Sequence, residues 1–394
     1  MTQRHPILLA AGGTGGHLFP ARALAEALAR RGVAVAYATD RRGEGLGLPS
    51  PERSPGPSPE GFGQAGADDA PRYLVRSAPL AGRGLAGRMR GTFDLLVGTV
   101  AATRLLRSLA PAAVVGFGGY PSVPPVLAAT RLGVPAIIHE QNAVLGRANR
   151  LLSTRVAAVA VAFEATERVR PALRGRVHLI GNPVRREIGA LTAEPYVPPR
   201  VVGPFRLLVT GGSQGARVMA DVVPGAVALL PATVRGMLAI VQQCRAEDLD
   251  RVRATYAAQG VDARLAPFFD DIACRLAEAH LVIARAGAST VAELTAAGRP
   301  AILVPYRFAT DDHQSVNARL LEAAGAAWAM PEAAFSPATL AARLEVLATA
   351  PDTLAATAAR ARALGRPDAA DALAELVLGL AATNGDSRPR EAAA

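Results

Sequence analysis

Short apolar runs alternate along this chain with longer stretches rich in Ala, Leu and Arg. The apolar runs predict β-strands, and the longer stretches predict helices. Their alternation is typical of an α/β fold in which helices cover both faces of a parallel sheet. The predicted strands are 7–11, 33–38, 113–117, 136–139, 156–161, 207–210, 237–242, 281–284 and 301–304.

Two of the predicted strands lead into a glycine-rich turn that opens a helix. GGTGGH (12–17) follows the first strand, and GGSQGA (211–216) follows the strand at 207–210. Small residues at such turns let backbone N–H groups and the positive end of the helix dipole face a diphosphate or a sugar. The pair predicts two facing ligand sites, against the alternative of two tight strand–helix connections.

Chain length predicts two domains. The 394 residues, of which 50% are hydrophobic, exceed what one core usually holds, about 250–300 residues. We place the first domain at 1–181 and the second at 182–363, both doubly wound, with the active site in a cleft between them. Pro, Gly, Ser and Arg dominate 40–71, which predicts a flexible loop, and 384–394 predicts a disordered tail.

The charge balance narrows the classes of function. The net charge is +10, and because the chain has no Lys, all 43 basic residues are Arg. The absence of Lys excludes a P-loop ATPase and a pyridoxal enzyme. A basic chain favours an anionic partner, but 4% aromatic residues argue against nucleic acid. Two isolated cysteines and the lack of a leading apolar stretch predict a reduced, cytoplasmic protein.

Eight short motifs occur in an order that resembles the MurG family of bacterial peptidoglycan glycosyltransferases. The resemblance covers residues 6–376. The motifs are GGTGGHLFPA (12–21), GFGGYPS (116–122), HEQN (139–142), GNPVR (181–185), GGSQGAR (211–217), FFDDI (268–272), RAGASTVAEL (285–294) and DDHQSVNA (311–318).

The resemblance implies the GT-B fold, with two Rossmann-like domains and 364–383 crossing back to the first domain as the final helix. It also implies an inverting transfer of N-acetylglucosamine from UDP-GlcNAc to undecaprenyl-diphosphate-linked MurNAc-pentapeptide, which converts lipid I into lipid II. Such a transfer needs a base for the acceptor hydroxyl and neutralisation of the departing UDP.

Two residues are candidates for the base. His17 lies at the mouth of the first glycine turn, and an imidazole is a side chain suited to proton transfer near neutral pH; a helix-cap or phosphate-binding role is the alternative. Glu140 ends a predicted strand, and His139 would orient it; a hydrogen-bonded core carboxylate is the alternative.

The resemblance implies further substrate contacts. In the first domain Thr14, Gly15 and Gly16 would approach the donor, Asn142 would bind a sugar hydroxyl or the acetamido group, and Tyr120 would face the acceptor. In the second domain Arg185 and Ser213 would contact the diphosphate, and the backbone of Phe269 would read the uracil. The remaining donor contacts would be Ala288, Ser289, Thr290, Val291, Ala292, Glu293 on the ribose hydroxyls, and Gln314 on a GlcNAc hydroxyl.

The chain departs from the family pattern at two positions of the donor half. Residues 242–245 read QQCR where the family commonly has His-Gln-x-Gly, and Ala220 stands where an Asn is common. The sequence therefore assigns no hydrogen bonds to the donor at these positions.

The predicted partners are UDP-GlcNAc, lipid I, an anionic inner-leaflet surface, and cell-wall synthesis and division proteins. We expect no cofactor, no metal and no nucleic acid, and a peripheral location on the cytoplasmic face of the inner membrane. The predicted docking patch is 83–90, with Arg83, Arg88 and Arg90, followed by the apolar 95–106 with Arg104 and Arg107. A helix packed on the sheet is the alternative.

Two other functions compete with the transferase. A UDP-GlcNAc 2-epimerase shares the fold, and a nucleotide-sugar binding module without catalysis would share the donor site. The HEQN and GFGGY motifs favour the transferase, and polar residues retained in both domains argue against a silent module.

Overall fold

The computed structural model describes residues 5–12, 15–40, 70–75, 84–200, 203–212 and 215–385. These residues form two compact units. One unit contains the described residues up to Arg185 together with those from Asp368 onward, and the other runs from Arg186 to Pro367.

The described part of the first unit is built on a parallel sheet of seven strands in the order β3-β2-β1-β4-β5-β6-β7. The chain order reverses between β1 and β4, where Ile7 pairs with Ala113 and Ala10 with Gly116. The strands are β1 Ile7–Ala10, β2 Val35–Thr39, β3 Arg72–Leu74, β4 Ala113–Gly116, β5 Ala136–Glu140, β6 Ala158–Val161 and β7 Val177–Leu179.

Helices cover both faces of this sheet. Alternate residues of β1 enter different cores, with Leu9 in one apolar cluster and Leu8 in the other, which explains why the strand is a continuous apolar run. The helices of this part of the chain are α1 Gly15–Arg30, α2 Gly84–Leu109, α3 Val123–Arg131 and α4 Arg147–Leu152.

The second unit contains a parallel sheet of six strands in the order β10-β9-β8-β11-β12-β13, with the reversal between β8 and β11. The strands are β8 Phe205–Thr210, β9 Leu238–Gln243, β10 Asp262–Ala266, β11 Leu281–Ala284, β12 Ala301–Leu303 and β13 Trp328–Ala329. The helices are α5 Arg186–Ala190, α6 Arg217–Leu229, α7 Ala232–Arg235, α8 Leu249–Ala258, α9 Ile272–Glu278, α10 Ala288–Ala297, α11 His313–Ala323, α12 Pro337–Ala348 and α13 Pro351–Leu364.

The last helix, α14 Ala369–Gly385, belongs to the first unit. Leu373 and Val377 are fully buried in the apolar cluster that α1 also lines. Asp371 accepts hydrogen bonds from Arg31 at 2.5 Å and Arg30 at 3.0 Å. The hydrogen bond from Arg31, and then the charge of Arg30, hold the pKa of this carboxyl below its usual value. The contacts fix the beginning of α14 against the end of α1.

The predicted α/β class with two doubly wound parallel sheets is confirmed, and each of the nine predicted strands coincides with a strand of the structure. The units change at 185/186 and 367/368, close to the predicted 181/182 and 363/364. Helix α14 continues to Gly385, so the first residues of the predicted tail are helical. Most of the predicted loop at 40–71 and the rest of the tail lie outside the described residues.

Candidate active site

The imidazole of His17 lies between two glycine turns at the switch point of the first sheet. Gly12 follows β1, and its N–H donates to the carbonyl of Gly118, which follows β4, at 3.2 Å. A Cβ on Gly118 would lie 3.2 Å from Cε1 of His17, and one on Gly119 would lie 3.1 Å from the Cα of Gly12. Both residues also have positive φ, 89° and 71°. Glycine is therefore required for the two turns to close around the ring.

A chain of hydrogen bonds connects His17 to the interior. Its Nδ1 lies 3.2 Å from Oε1 of Gln141. The amide nitrogen of Gln141 lies 2.9 Å from the carbonyl oxygen of Phe117 and 3.0 Å from Nδ1 of His139. Nε2 of His139 donates to the carbonyl of Gly181 at 2.8 Å. Burial lowers the pKa of His139 to about 4, and the nearby His17 acts in the same direction, so the His139 ring is neutral near pH 7.

Glu140 is buried, and its carboxylate accepts four hydrogen bonds. Oε1 accepts from the backbone and side-chain nitrogens of Asn142 at 3.1 and 3.3 Å. Oε2 accepts from the N–H of Gly146 and the side chain of Asn149, both at 2.8 Å. Both ring nitrogens of His139, the expected orienting residue, contact other groups. This arrangement is typical of a carboxylate that holds a loop, and it favours His17 over Glu140 as the base.

The other predicted residues of the first part of the chain lie around His17 or close by. Gly15 and Gly16 begin α1, and a Cβ on Gly16 would meet nothing within 4 Å. Half-buried Tyr120 follows Gly119. Arg185, assigned to the second domain from its sequence, ends the first unit, and its guanidinium lies 5.7 Å from the centre of the Phe19 ring. Thr14 lies outside the described residues.

In the second unit a buried glutamine braces the second glycine turn. Oε1 of Gln243 accepts from the hydroxyl of Thr210 and the N–H of Gly211, both at 3.0 Å. Its amide nitrogen donates to the carbonyls of Gly212 and Pro267, both at 3.1 Å. A Cβ on Gly211 would lie 2.2 Å from the backbone nitrogen of Ala216, so only glycine allows this turn. Ser213 lies outside the described residues.

The structure shows what two of the departing residues, Gln242 and Ala220, contact. Gln242 is fully buried on β9 and accepts a hydrogen bond from the hydroxyl of Tyr256 at 2.6 Å. Ala220 belongs to the apolar core of the second unit. In this chain both positions therefore serve packing, while Gln243 supports the turn.

Helix α10 begins directly after β11, the strand that pairs with β8 at the switch point. Its N-terminus is capped by Gly287 without a side-chain hydrogen bond. The hydroxyl of Ser289 is buried and has no hydrogen-bond partner among the described residues. Half-buried Glu293 lies in the second turn of the helix. The first two turns carry the predicted donor residues Ala288, Ser289, Thr290, Val291, Ala292 and Glu293.

The remaining donor candidates lie on loops of the second unit. The side-chain oxygen of Gln314 accepts from the backbone N–H of Tyr306 at 2.9 Å. Asp311 and Asp312, which precede α11, both have positive φ, 56° and 54°, a strained backbone of the kind found at ligand sites. Phe269 is 7% exposed and lies between β10 and α9.

Sequence reasoning did not assign roles to Gln141, Asn149 or Gln243. Gln141 had a usable signal, because it lies inside HEQN directly after a predicted buried strand. Gln243 also had a signal, because it matches the Gln of the His-Gln-x-Gly pattern. Asn149 had none, although its partner Glu140 lies only nine residues away.

Comparison with known proteins gives consistent matches over nearly the whole chain. Residues 7–53 and 58–161 match the glycosyltransferase family 28 N-terminal domain, and residues 206–373 match the family 28 C-terminal domain. The UDP-N-acetylglucosamine--N-acetylmuramyl-(pentapeptide) pyrophosphoryl-undecaprenol N-acetylglucosamine transferase of Rhodospirillum centenum is 53% identical over 98% of this chain and 97% of its own length. The protein of the same name from Rhodospirillum rubrum is 53% identical over 94% of this chain and 91% of its own length.

Solved structures show the same fold. Acinetobacter baumannii MurG superposes with a TM-score of 0.74 at 29% identity, covering 95% of this chain and 99% of that one. The UDP-GlcNAc 2-epimerase of Neisseria meningitidis gives a TM-score of 0.63 at 13% identity, covering 95% of this chain and 100% of that one. The second match is a likeness of fold alone.

We expect the low pKa of His139 to make stability depend on pH. The pKa of His139 is about 4 in the folded protein and about 6.5 in the unfolded chain. Between these pH values His139 is protonated in the unfolded chain and neutral in the folded protein. The free energy of unfolding should therefore fall as the pH drops from about 6.5 to 4, by up to about 1.4 kcal/mol per pH unit for one such histidine. Urea unfolding at a series of pH values measures this slope.

His280 in the second unit, whose burial also lowers its pKa to about 4, contributes in the same direction. His139→Gln should flatten the slope, and His139→Gln with His280→Gln should flatten it further. An unchanged slope in both variants would contradict the assignment.

Proposed function

The chain belongs to glycosyltransferase family 28, and from that premise we propose that it transfers N-acetylglucosamine from UDP-GlcNAc to undecaprenyl-diphosphate-linked MurNAc-pentapeptide, which makes lipid II. The resemblance to the MurG family and the predicted GT-B fold class are confirmed. Near-full-length identity to transferases of that name supports this substrate pair. The structural observation that carries the chemistry is the His17 imidazole, held by two glycine turns and hydrogen-bonded to Gln141.

In the proposed reaction His17 acts as the general base. It takes the proton of the acceptor hydroxyl while the oxygen forms a bond to the anomeric carbon of the donor. The bond from that carbon to the diphosphate breaks, its electron pair leaves with UDP, and the anomeric configuration inverts. No covalent sugar–enzyme intermediate forms, so no nucleophilic side chain is needed.

The second unit supplies the donor site of this proposal. The first backbone N–H groups of α10 lie just after the carboxyl end of β11, the strand that pairs with β8. Such groups stabilise negative charge on a departing diphosphate. Glu293 would accept from the ribose hydroxyls, and the amide nitrogen of Gln314 would donate to a GlcNAc hydroxyl. The predicted diphosphate contacts Arg185 and Ser213, and uracil recognition by the backbone of Phe269, belong to the same proposal.

A 2-epimerase is less well supported than the transferase. The epimerase of known structure shares the fold at 13% identity, whereas the curated transferases are about half identical over nearly the full chain. We therefore assign the chain to peptidoglycan synthesis and not to nucleotide-sugar epimerisation.

We further propose that the outer face of α2 docks on the membrane. Four large apolar side chains of this helix are exposed, Met89 (66%), Phe93 (65%), Leu96 (56%) and Val100 (54%), here called the α2 stripe. Their spacing of three or four residues places them on one face of the helix. Ala102 and Leu106, which also belong to the predicted apolar patch, are buried in the core. Packing on the sheet, the alternative to membrane docking, therefore holds for the opposite face of α2.

Two of the basic residues predicted for the patch, Arg104 and Arg107, are exposed on α2. Arg83 lies outside the described residues, as do the side chains of Arg88 and Arg90. None of the helices in the described part of the chain is long and apolar enough to cross a bilayer. The α2 stripe supports a peripheral position on a membrane. The proposal places the protein on the cytoplasmic face of the inner membrane, where lipid II synthesis would serve cell-wall biogenesis, cell shape and division together with synthesis and division proteins.

Replacing the base should abolish most turnover without affecting donor binding. We expect His17→Ala to lower kcat by about 10²- to 10⁴-fold, the usual contribution of a general base, in an assay with UDP-GlcNAc and lipid I. His178→Ala, on strand β7 of the same unit, is the matched control and should retain kcat. Glu140→Gln should mainly lower stability, by about 1–3 kcal/mol, since it disturbs a satisfied buried carboxylate. A kcat loss in Glu140→Gln equal to that of His17→Ala would move the base role to Glu140.

Glu293→Ala should weaken the donor selectively. Loss of a bidentate contact to the ribose hydroxyls costs about 1.5–3 kcal/mol, which is roughly a tenfold to hundredfold rise in the dissociation constant of UDP-GlcNAc. Isothermal titration measures it, and the exposed Glu345→Ala on α12 serves as the control. Unchanged donor affinity in Glu293→Ala would refute the ribose assignment.

Polar substitution of the α2 stripe should lower turnover of the membrane-bound acceptor and leave turnover of a soluble acceptor unchanged. We expect Met89→Ser, Phe93→Ser and Leu96→Ser together to lower binding to anionic vesicles at least about tenfold, since each buried apolar side chain contributes about 1.5–3 kcal/mol. Turnover of lipid I in vesicles should fall, while a short-chain soluble acceptor is used as before.

The control for this triple variant is Val346→Ser with Leu364→Ser, two exposed apolar residues of the second unit. Equal losses on both acceptors, or intact vesicle binding in the triple variant, would place the docking surface elsewhere.

A further inference from the structure

Gln141 links the candidate base to the interior of the first unit. We propose that Gln141 is a positioning residue that holds His17 in the tautomer with hydrogen on Nδ1 and the lone pair on Nε2. This inference rests on the proposed role of His17 as the base. The Gln141 side chain is a neutral amide that contacts the proposed base, and its proposed role requires no contact with the substrate.

The orientation of the Gln141 amide follows from its surroundings. One end of the amide lies 2.9 Å from the carbonyl oxygen of Phe117 and 3.1 Å from that of His139. A carbonyl oxygen can only accept, so this end is the nitrogen. The other end, which lies 3.2 Å from Nδ1 of His17, is therefore the oxygen. An amide oxygen can only accept as well, so the hydrogen of that contact lies on Nδ1 of His17.

The hydrogen bonds of His139 favour the same orientation of the Gln141 amide. Its Nε2 faces the carbonyl of Gly181 at 2.8 Å and must carry the hydrogen. In the neutral ring Nδ1 is then an acceptor, and it faces the amide nitrogen of Gln141 at 3.0 Å. Burial keeps this ring neutral by lowering its pKa to about 4. A protonated His139 would place a second donor against the Gln141 nitrogen and oppose this arrangement.

Burial of Gln141 and His139 fixes the orientation of the Gln141 amide. Gln141 is 1% exposed and His139 is fully buried. Turning the Gln141 amide over would set its oxygen against two carbonyl oxygens in the interior, where the lost hydrogen bonds have no water to replace them.

The consequence for catalysis lies at the other ring nitrogen of His17. A neutral imidazole with hydrogen on Nδ1 has its lone pair on Nε2, and that lone pair is what takes the proton of the acceptor hydroxyl. An amide oxygen carries no net charge, so it favours the charged form of the ring less strongly than does the carboxylate that orients histidine in many hydrolases.

The first test reads the tautomer directly. Long-range ¹H–¹⁵N correlation spectra of protein labelled with ¹⁵N-histidine distinguish Nδ1–H from Nε2–H rings, and His17→Gln and His139→Gln assign the signals. We expect Nδ1–H for His17 and Nε2–H for His139 in the unsubstituted protein. An Nε2–H form of His17 would overturn the proposal, and this reading decides it even if variants at Gln141 fail to fold.

The second test uses Gln141→Met, which keeps the length of the side chain and removes both hydrogen-bonding ends. We expect the His17 signal to lose its Nδ1–H pattern and kcat to fall about 10- to 100-fold, as for other residues that orient a reacting group. KM for UDP-GlcNAc should change less than about threefold, because a tautomer change does not alter ground-state donor contacts.

Gln259→Met, at the C-terminal end of α8, is the matched control and should leave the His17 tautomer and kcat unchanged. A folded Gln141→Met with unsubstituted kcat, or with His17 still in the Nδ1–H form, would overturn the proposal. If His17→Ala keeps full kcat while Gln141→Met changes the tautomer, the base assignment falls and the structural link between Gln141 and His17 stands. The two failures are therefore distinguishable.

Discussion

A main-chain carbonyl oxygen can accept hydrogen bonds but never donate them, and this constraint fixes the orientation of the side chains that connect to His17 in the first unit. The carbonyls of Gly181 and Phe117 face His139 and Gln141 and fix which end of each side chain is the donor. The orientation passes through Gln141 to His17. Because the carbonyls belong to the ends of strands or the loops just after them, the parallel sheet itself sets the polarity of the site.

The glycine turns are the second condition for this arrangement. Parallel strands end at one edge, and at the switch point the connections leave in opposite directions, which opens a space between them. In the first unit that space holds the His17 ring, and glycine at 118 and 119 is what lets the backbone approach it. Any side chain at these positions would displace the ring or the turn.

The two units use a buried glutamine in different ways. Gln243 forms its four hydrogen bonds with the hydroxyl of Thr210 and three backbone groups, so it supports the shape of a turn. Gln141 shares its bonds between the backbone and two histidines, so it transmits an orientation to a titratable group. The first arrangement fixes a backbone turn, and the second orients the ring of a histidine.

The sequence by itself determined the strands at the centre of both sheets, the two glycine turns and the family. Central strands are buried on both faces and therefore read as continuous apolar runs. The strands that it missed, β3, β7, β10 and β13, are the four sheet edges, where partial exposure removes that pattern; Asp262 begins β10, for example. Only the tertiary structure decided the roles within HEQN. Glu140 accepts from the N–H of Gly146 in the following loop and from Asn149 on α4, and Gln141 faces His17 on α1. The path of the loop makes the first two contacts and the packing of α1 on the sheet makes the third, and neither leaves a pattern in the sequence.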